Sequence, residues 1–121
     1  MKELAEVFKA AADETRLMIL ALLAQQGECC VCDVMEVCEI TQSKASRHLR
    51  TLKHAGLVDD RRVGTWVYYR VDMDKMPAAR DFWRANRALL EGLMAKEIAN
   101  RMRKWNTRKK SQSACSATRS S

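Results

Sequence analysis

Four cysteines fall within ten residues of this 121-residue chain, at Cys29, Cys30, Cys32 and Cys38, and a fifth stands at Cys115. Apolar packing does not call for three thiols in four residues, so Cys29, Cys30 and Cys32 point to metal or redox chemistry. Thiolate sulfur is a soft donor, and donor softness selects the ion that is bound. Cys38 taken alone reads equally well as a small buried hydrophobe. The start of the chain, MKELAEVFKAAADETRL, alternates charged and apolar residues and lacks the apolar centre of a secretory signal. No apolar run approaches the roughly 18 residues of a membrane span. A cytoplasmic protein is therefore expected, in a compartment that keeps thiols reduced and available as ligands.

A second set of residues could read nucleic acid. The net charge is +7, but residues 1–100 hold 15 basic and 15 acidic groups, and the excess lies in the last 21 residues. The local distribution carries more than the total. Between Gln42 and Arg70 seven basic residues face only Asp59 and Asp60, whereas Glu28 to Glu39 holds four acids and no base. A basic segment beside an acidic, thiol-rich one fits a DNA reader joined to a cation sensor. Gln42, Ser43, Lys44, Ser46, Arg47 and Arg50 share the polar face of a helical stretch whose Ala45, Leu49 and Leu52 face inward. Gln reads adenine, and Arg or Lys reads guanine, through paired hydrogen bonds in the major groove. His48 borders the buried face, so it suits an orienting hydrogen bond as well as a DNA contact.

These residues need elements to hold them. A short amphipathic helix is expected over residues 3–11, with Leu4, Phe8 and Ala11 on one face. Asp13 offers an N-cap for a second helix that stops before Gly27. A third short helix is expected from near Cys30 to about Val37. Thr41 caps the fourth, with Ile40 stapled to Ala45, and Gly56 ends it. Runs around Leu57–Arg62 and Thr65–Val71 read as a hairpin turning at Gly64, with Arg61, Arg62 and Arg70 on its arms. Pro77 opens a last helix of nearly thirty residues, longer than one small core needs, so a homodimer reading a palindrome is expected. The expected architecture is mainly α: a dimeric winged helix-turn-helix of about five helices and a two-stranded wing over residues 1–105. A basic, serine-rich, disordered tail would occupy 106–121.

The stretch TQSKASRHLRTLKHAGLVDDRRVGTWVYYRV resembles the recognition helix and wing of the ArsR/SmtB family of metal-responsive repressors. ECCVCDV resembles that family's metal box, usually Glu-Leu-Cys-Val-Cys-Asp-Leu, and DETRLMIL resembles its second helix. The resemblance spans roughly residues 3–100. It implies a homodimer that represses its own operon and leaves operator DNA when metal binds. Cys30 and Cys32 match the paired cysteines of the metal box. Gln42, Ser43, Lys44, Ser46, Arg47 and His48 match the recognition helix, and Arg61 and Arg62 belong to the wing. Two departures stand out. Arsenic-responsive members often carry a third cysteine where this chain has Met35, and Cys29 replaces the leucine before the pair.

With that resemblance, arsenite or antimonite is the expected effector, and no catalytic cofactor or enzymatic activity is expected. Trivalent arsenic takes three sulfurs. If Cys30 and Cys32 both lie on a helix, residues i and i+2 point about 200° apart. Binding should then distort the start of the third helix. Cys29 is the favoured third ligand. Cys38 lies about 12 Å along the helix from Cys30, and Cys115 would have to reach in from the tail. Zinc sensing through the last helix would need His and carboxylate at helical spacing, and the only histidines are His48 and His54. Rival readings are a thiol-redox or cadmium/lead-sensing repressor of the same fold, a DNA-architectural protein, and, more remotely, a Cys-x-x-Cys oxidoreductase, which would want a βαβ context.

Overall fold

The computed structural model describes residues 1–112. Its elements run α1 (Lys2–Ala11), α2 (Glu14–Gln26), β1 (Glu28–Cys30), α3 (Val31–Cys38), α4 (Gln42–His54), β2 (Val58–Val63), β3 (Trp66–Val71), α5 (Pro77–Gly92) and α6 (Ala95–Gln112). Local chemistry sets most of their ends. Asp13 accepts the Arg16 N–H at 3.0 Å and so caps α2. That bond, the largest influence on it, holds the Asp13 carboxyl below its usual range. Thr41 accepts the Lys44 N–H at 3.2 Å at the start of α4. Gly56 follows α4 with φ +84°, a conformation that favours glycine, and a Cβ there would meet the Met76 sulfur at 2.3 Å.

In α2 the run Ile19 to Ala24 is buried without a break. A helix that is apolar all round belongs at the centre, and α1, α3, α4 and α5 all pack against α2. Complete burial of a side chain such as Leu22 is worth about 1.5–3 kcal/mol. Trp83 of α5 is fully buried and donates its indole N–H to the Leu57 carbonyl at 2.9 Å. That bond fixes α5 against the segment joining α4 to β2.

The sheet is antiparallel in the order β1-β3-β2. Val63 pairs with Trp66, so Gly64 and Thr65 form a two-residue hairpin loop, and Gly64 has φ +62°. The wing is three-stranded, not two-stranded. The added strand is β1, in which Glu28, Cys29 and Cys30 pair with Arg70, Tyr69 and Tyr68.

The last expected helix is two. It breaks at Leu93 and Met94, where Leu93 is extended and Met94 has φ +51°. Gln25 of α2 donates its amide N–H groups to the Leu90 and Leu93 carbonyls, at 3.1 and 2.9 Å. These bonds satisfy carbonyls that a continuing helix would have used. Beyond the break, α6 runs across α3 and continues through Gln112. Residues 106–112, expected to be part of a disordered tail, are therefore helical. The rest of that expected tail, with Cys115, lies outside the described residues.

Candidate nucleic-acid interface and thiol site

Helices α3 and α4 are joined through Glu39, Ile40 and Thr41. Glu39 takes a left-handed conformation (φ 56°, ψ 50°), and Ile40 donates its N–H to the Met35 carbonyl at 3.1 Å. That tight turn packs α3 onto α4. On α4, Ala45, Leu49 and Leu52 are buried, while Ser43, Lys44, Arg47 and Arg50 are exposed and Gln42 and Ser46 are half-buried. The sequence-predicted polar face is thus presented outward as one surface, with its N-terminal turn leading. Free N–H groups at a helix N-terminus and the surrounding cations suit phosphate.

His48 is half-buried, and its Nδ1 lies 3.2 Å from Arg16 Nη1. Since Arg can only donate, Nδ1 accepts and the ring proton sits on Nε2. Arg16 also donates to the Ala10 carbonyl at 2.6 Å. The pair therefore ties α4 to α2 and α1, which is the orienting role. Burial, opposed by Asp13 and reinforced by Arg16, Arg47 and Lys44, holds the His48 pKa below its usual value.

The two wing arginines differ. Arg61 forms a bidentate pair with Glu28 across the sheet, at 2.9 and 2.6 Å, and its guanidinium lies 5.4 Å from the Tyr68 ring centroid. The Arg61 hydrogen bonds are the main reason that the Glu28 carboxyl sits below its usual range. Arg62 projects from the opposite face of the hairpin, because strand residues alternate. That is the face of Tyr69, whose phenol is raised by burial and by Asp60 and lowered by Lys53, Arg62 and Arg50 together. Lys53 of α4 pairs with Asp60 at 3.0 Å. Arg50 and Arg62 are thus brought to one side, while Arg61 is bound to the strand that carries the cysteines. Sequence reasoning had no signal for that difference, since the Glu28 partner is set by sheet register.

The thiols gather where β1 meets α3. Cys29 and Cys30 are the last residues of β1, and Cys30 is also the N-cap of α3, with extended backbone (φ −86°, ψ 171°). Cys32 lies in the first helical turn. Cys30 is not helical, so the 200° argument does not apply to the pair: its side chain folds over the first turn instead of pointing away from it. Asp33 Oδ2 accepts the Cys30 N–H at 3.0 Å and closes that turn. Cys29, Cys30 and Cys32 are all buried.

Cys29 pairs with Tyr69 and Cys30 with Tyr68, so their side chains leave opposite faces of the sheet. Burial, with the Asp33 charge adding to it, pushes the Cys29 thiol far up. Cys38 ends α3, and burial pushes its thiol up to about 12. Among the described residues no group of three His, Cys, Asp or Glu side chains is arranged to hold a metal ion. The fold therefore brings Cys30 and Cys32 to one turn but does not preassemble a third ligand among those residues.

The sequence reading missed what covers this turn. Trp105 of α6 is buried and donates its indole N–H to Asp33 Oδ1 at 2.8 Å. Lys109 donates to the same oxygen at 2.8 Å, and Arg108 pairs with Glu36 at 2.5 Å. The Arg108 guanidinium and the Lys109 ammonium stand 5.3 and 5.8 Å from the Trp105 ring centroid. Arg101 donates to the Val37 carbonyl at 2.6 Å at the other end of α3. An isolated tryptophan in a basic, serine-rich stretch was the available signal. Among the described residues no helix is long and apolar enough to cross a membrane.

Comparison with known proteins agrees with this arrangement. Residues 13–60, from the α2 cap into β2, match the model of the arsR family of bacterial regulatory proteins. The chain is 51% identical over 65 residues to the arsenic resistance transcriptional regulator ArsR1 of Pseudomonas putida, a match covering 54% of this chain and 51% of that protein. It is 42% identical over 76 residues to the arsenical resistance operon repressor of Bacillus subtilis, covering 63% and 72%. The match thus spans about half the length of the Pseudomonas relative. Among solved structures, a homodimeric winged helix-turn-helix DNA-binding domain from Mycobacterium bovis superposes with a TM-score of 0.59 at 38% identity, covering 76% of this chain and 82% of that one. With the family model matched over residues 13–60, a 42% identical relative matched over 72% of its length and the same fold as the M. bovis domain, this chain belongs to the arsR family of bacterial regulatory proteins.

Proposed function

We propose that the chain is a metalloid-responsive transcriptional repressor. In this reading it works in the cytoplasm and catalyses no reaction. It binds operator DNA as a homodimer through α4 and the hairpin, and leaves it when Cys30 and Cys32 bind trivalent arsenic or antimony. The observation that carries the reading is the position of the two thiols. They sit at the start of α3, and α3 leads through a three-residue turn into the helix that presents Ser43, Lys44 and Arg47. Arsenical regulators among the relatives support arsenic as the effector. An open apolar groove of about 210 Å³, lined in part by Phe8, Leu17, Phe82 and Leu89, supports a homodimer. So does the homodimeric relative from M. bovis.

Binding is a ligand exchange without change of oxidation state. Arsenite is As(OH)3 in water. Each thiol forms one As–S bond, and its proton leaves with one hydroxide as water, so two thiols release two waters and a third thiol a third. Recruiting Cys29 as the third sulfur would require loss of β1–β3 pairing. Cys38 is about 12 Å along α3 from Cys30. Cys115 follows Lys109 by six residues, a span of at most about 20 Å.

The coupling must be reciprocal: if arsenite weakens operator binding by some factor, operator DNA weakens arsenite binding by the same factor. The test measures operator release under reductant by arsenite, antimonite, cadmium, zinc and peroxide, in wild type and in single Cys→Ser variants. Cys30→Ser and Cys32→Ser should bind operator normally and fail to release it, because a hard hydroxyl oxygen does not replace thiolate sulfur. The variant among Cys29→Ser, Cys38→Ser and Cys115→Ser that shares this phenotype identifies the third sulfur. Undiminished release in both Cys30→Ser and Cys32→Ser would refute the sensor reading. Release by peroxide or cadmium alone would replace the effector.

A further inference from the structure

One carboxylate joins the thiol turn to the end of the chain's last helix. Asp33 uses Oδ2 to hold the Cys30 N–H at 3.0 Å and Oδ1 to hold both Trp105 Nε1 and Lys109 Nζ at 2.8 Å. Its side chain is only 8% exposed. Cys30 and Cys32 on either side are 5% and 4% exposed, and Trp105 is 4% exposed. A buried carboxylate shared in this way does two jobs. It caps the turn that carries the thiols, and it anchors the helix that packs across α3 at that turn. An ion of arsenic's size cannot reach two sulfurs this well covered unless the cover moves.

We propose that the end of α6 is a latch on the thiol site: Trp105 and Lys109 close it by binding Asp33, and the latch must open before Cys30 and Cys32 can engage a ligand. Asp33 is the positioning residue, because it holds the latch and the cap of the thiol turn at once. The inference takes its ligand from the function proposed above, but its geometry is independent of that ligand. It has two consequences. The latch sets how fast the thiols become accessible. Effector binding, by displacing the Cys30 cap, also transmits occupancy to α6, which spans α3 from Val37 to Asp33 through Arg101 and Lys109.

The experiment labels the intact protein with an alkylating thiol reagent, without metalloid, and follows Cys30 and Cys32 by peptide mass spectrometry. Trp105→Phe keeps the ring bulk and removes one charge-assisted hydrogen bond. Lys109→Met removes the other from a half-buried position and leaves the core intact. Each should raise the labelling rate of Cys30 and Cys32 roughly tenfold or more, with urea unfolding still cooperative. Lys109→Arg, which restores a cationic donor, should return the rate to near wild type. In a parallel titration arsenite should change tryptophan emission in wild type, and the change should be much smaller in Trp105→Phe and in Cys30→Ser.

Unchanged labelling in both Trp105→Phe and Lys109→Met would overturn the latch. So would wild-type labelling of Cys30 and Cys32 no faster than the globally unfolded fraction allows, as extrapolated from the urea curve, because the thiols would then open only by global unfolding. Faster labelling in a protein whose operator binding ignores arsenite would sustain the latch and sink the effector reading, so the two failures are distinguishable.

Discussion

Deleting everything after Asn106 should destabilise the protein measurably. The deletion removes Lys109, which donates to a carboxylate with only 8% exposure. A hydrogen bond to a charged group contributes about 1.5–3 kcal/mol, and Asp33 would keep Trp105 and the Cys30 N–H as partners. Arg108–Glu36, at 50% and 36% exposure, adds about 0–1 kcal/mol. Trp105 becomes the penultimate residue of a helix whose last turn would fray. The expected loss is about 2–4 kcal/mol. With a urea m-value of about 1–3 kcal/mol/M, the unfolding midpoint should fall by about 1–2 M. The assay is urea denaturation followed by far-UV circular dichroism at fixed protomer concentration, because oligomerisation shifts apparent stability. Lys109→Met should reproduce most of the effect, and a deletion after Gln112 isolates the last nine residues. Coincident midpoints for the full chain and the deletion after Asn106 would refute the view that α6 is anchored through Asp33.

Three further outcomes follow from the site. Gly56→Ala should cost about 1–3 kcal/mol, because it combines φ +84° with a Cβ 2.3 Å from the Met76 sulfur; an unchanged thermal midpoint would contradict this. Arg47→Ala, on the exposed face of α4, should weaken operator binding by about 1–3 kcal/mol at one base position if Arg47 reads guanine. Equal weakening on random DNA, measured by fluorescence anisotropy, would reassign it to phosphate. His48 has a lowered pKa in the folded protein, so the unfolded chain binds its proton more readily and stability rises with pH through this group. Its contribution is fully present above about pH 6.5 and is lost as pH falls through the folded-state value. The stability difference between wild type and His48→Gln should therefore shrink on going from pH 7.5 to pH 5, and a difference independent of pH would show that His48 does not titrate in this way.

Much of the half that carries α4 and the hairpin was legible because its determinants are local. Asp13 and Thr41 act on N–H groups three residues ahead, Gly56 and Gly64 act on their own backbone, and the inward set Ala45, Leu49 and Leu52 follows from helical spacing alone. The cysteine cluster was legible by composition, and the family match over residues 13–60 bears out the family resemblance of the chain. The remaining features depend on partners far away in the chain. Strand β1 is three residues long and exists because β3, some forty positions later, offers it a free edge. Without that strand the sequence reads as the start of a helix, and Cys30 is misplaced onto it. The periodicity of residues 77–105 is compatible with one helix; it becomes two because the Gln25 amide takes the carbonyls at Leu90 and Leu93. Residues 106–112 look like a solvated basic tail until Asp33 and Glu36 supply the charges that Lys109 and Arg108 meet. Residue type and spacing by themselves determined the capped helices, the hairpin and the presence of a thiol cluster. Tertiary structure decided which thiols share a turn and which helix covers them, since a carboxylate's partners are set by where the chain returns and not by what lies next to it in sequence.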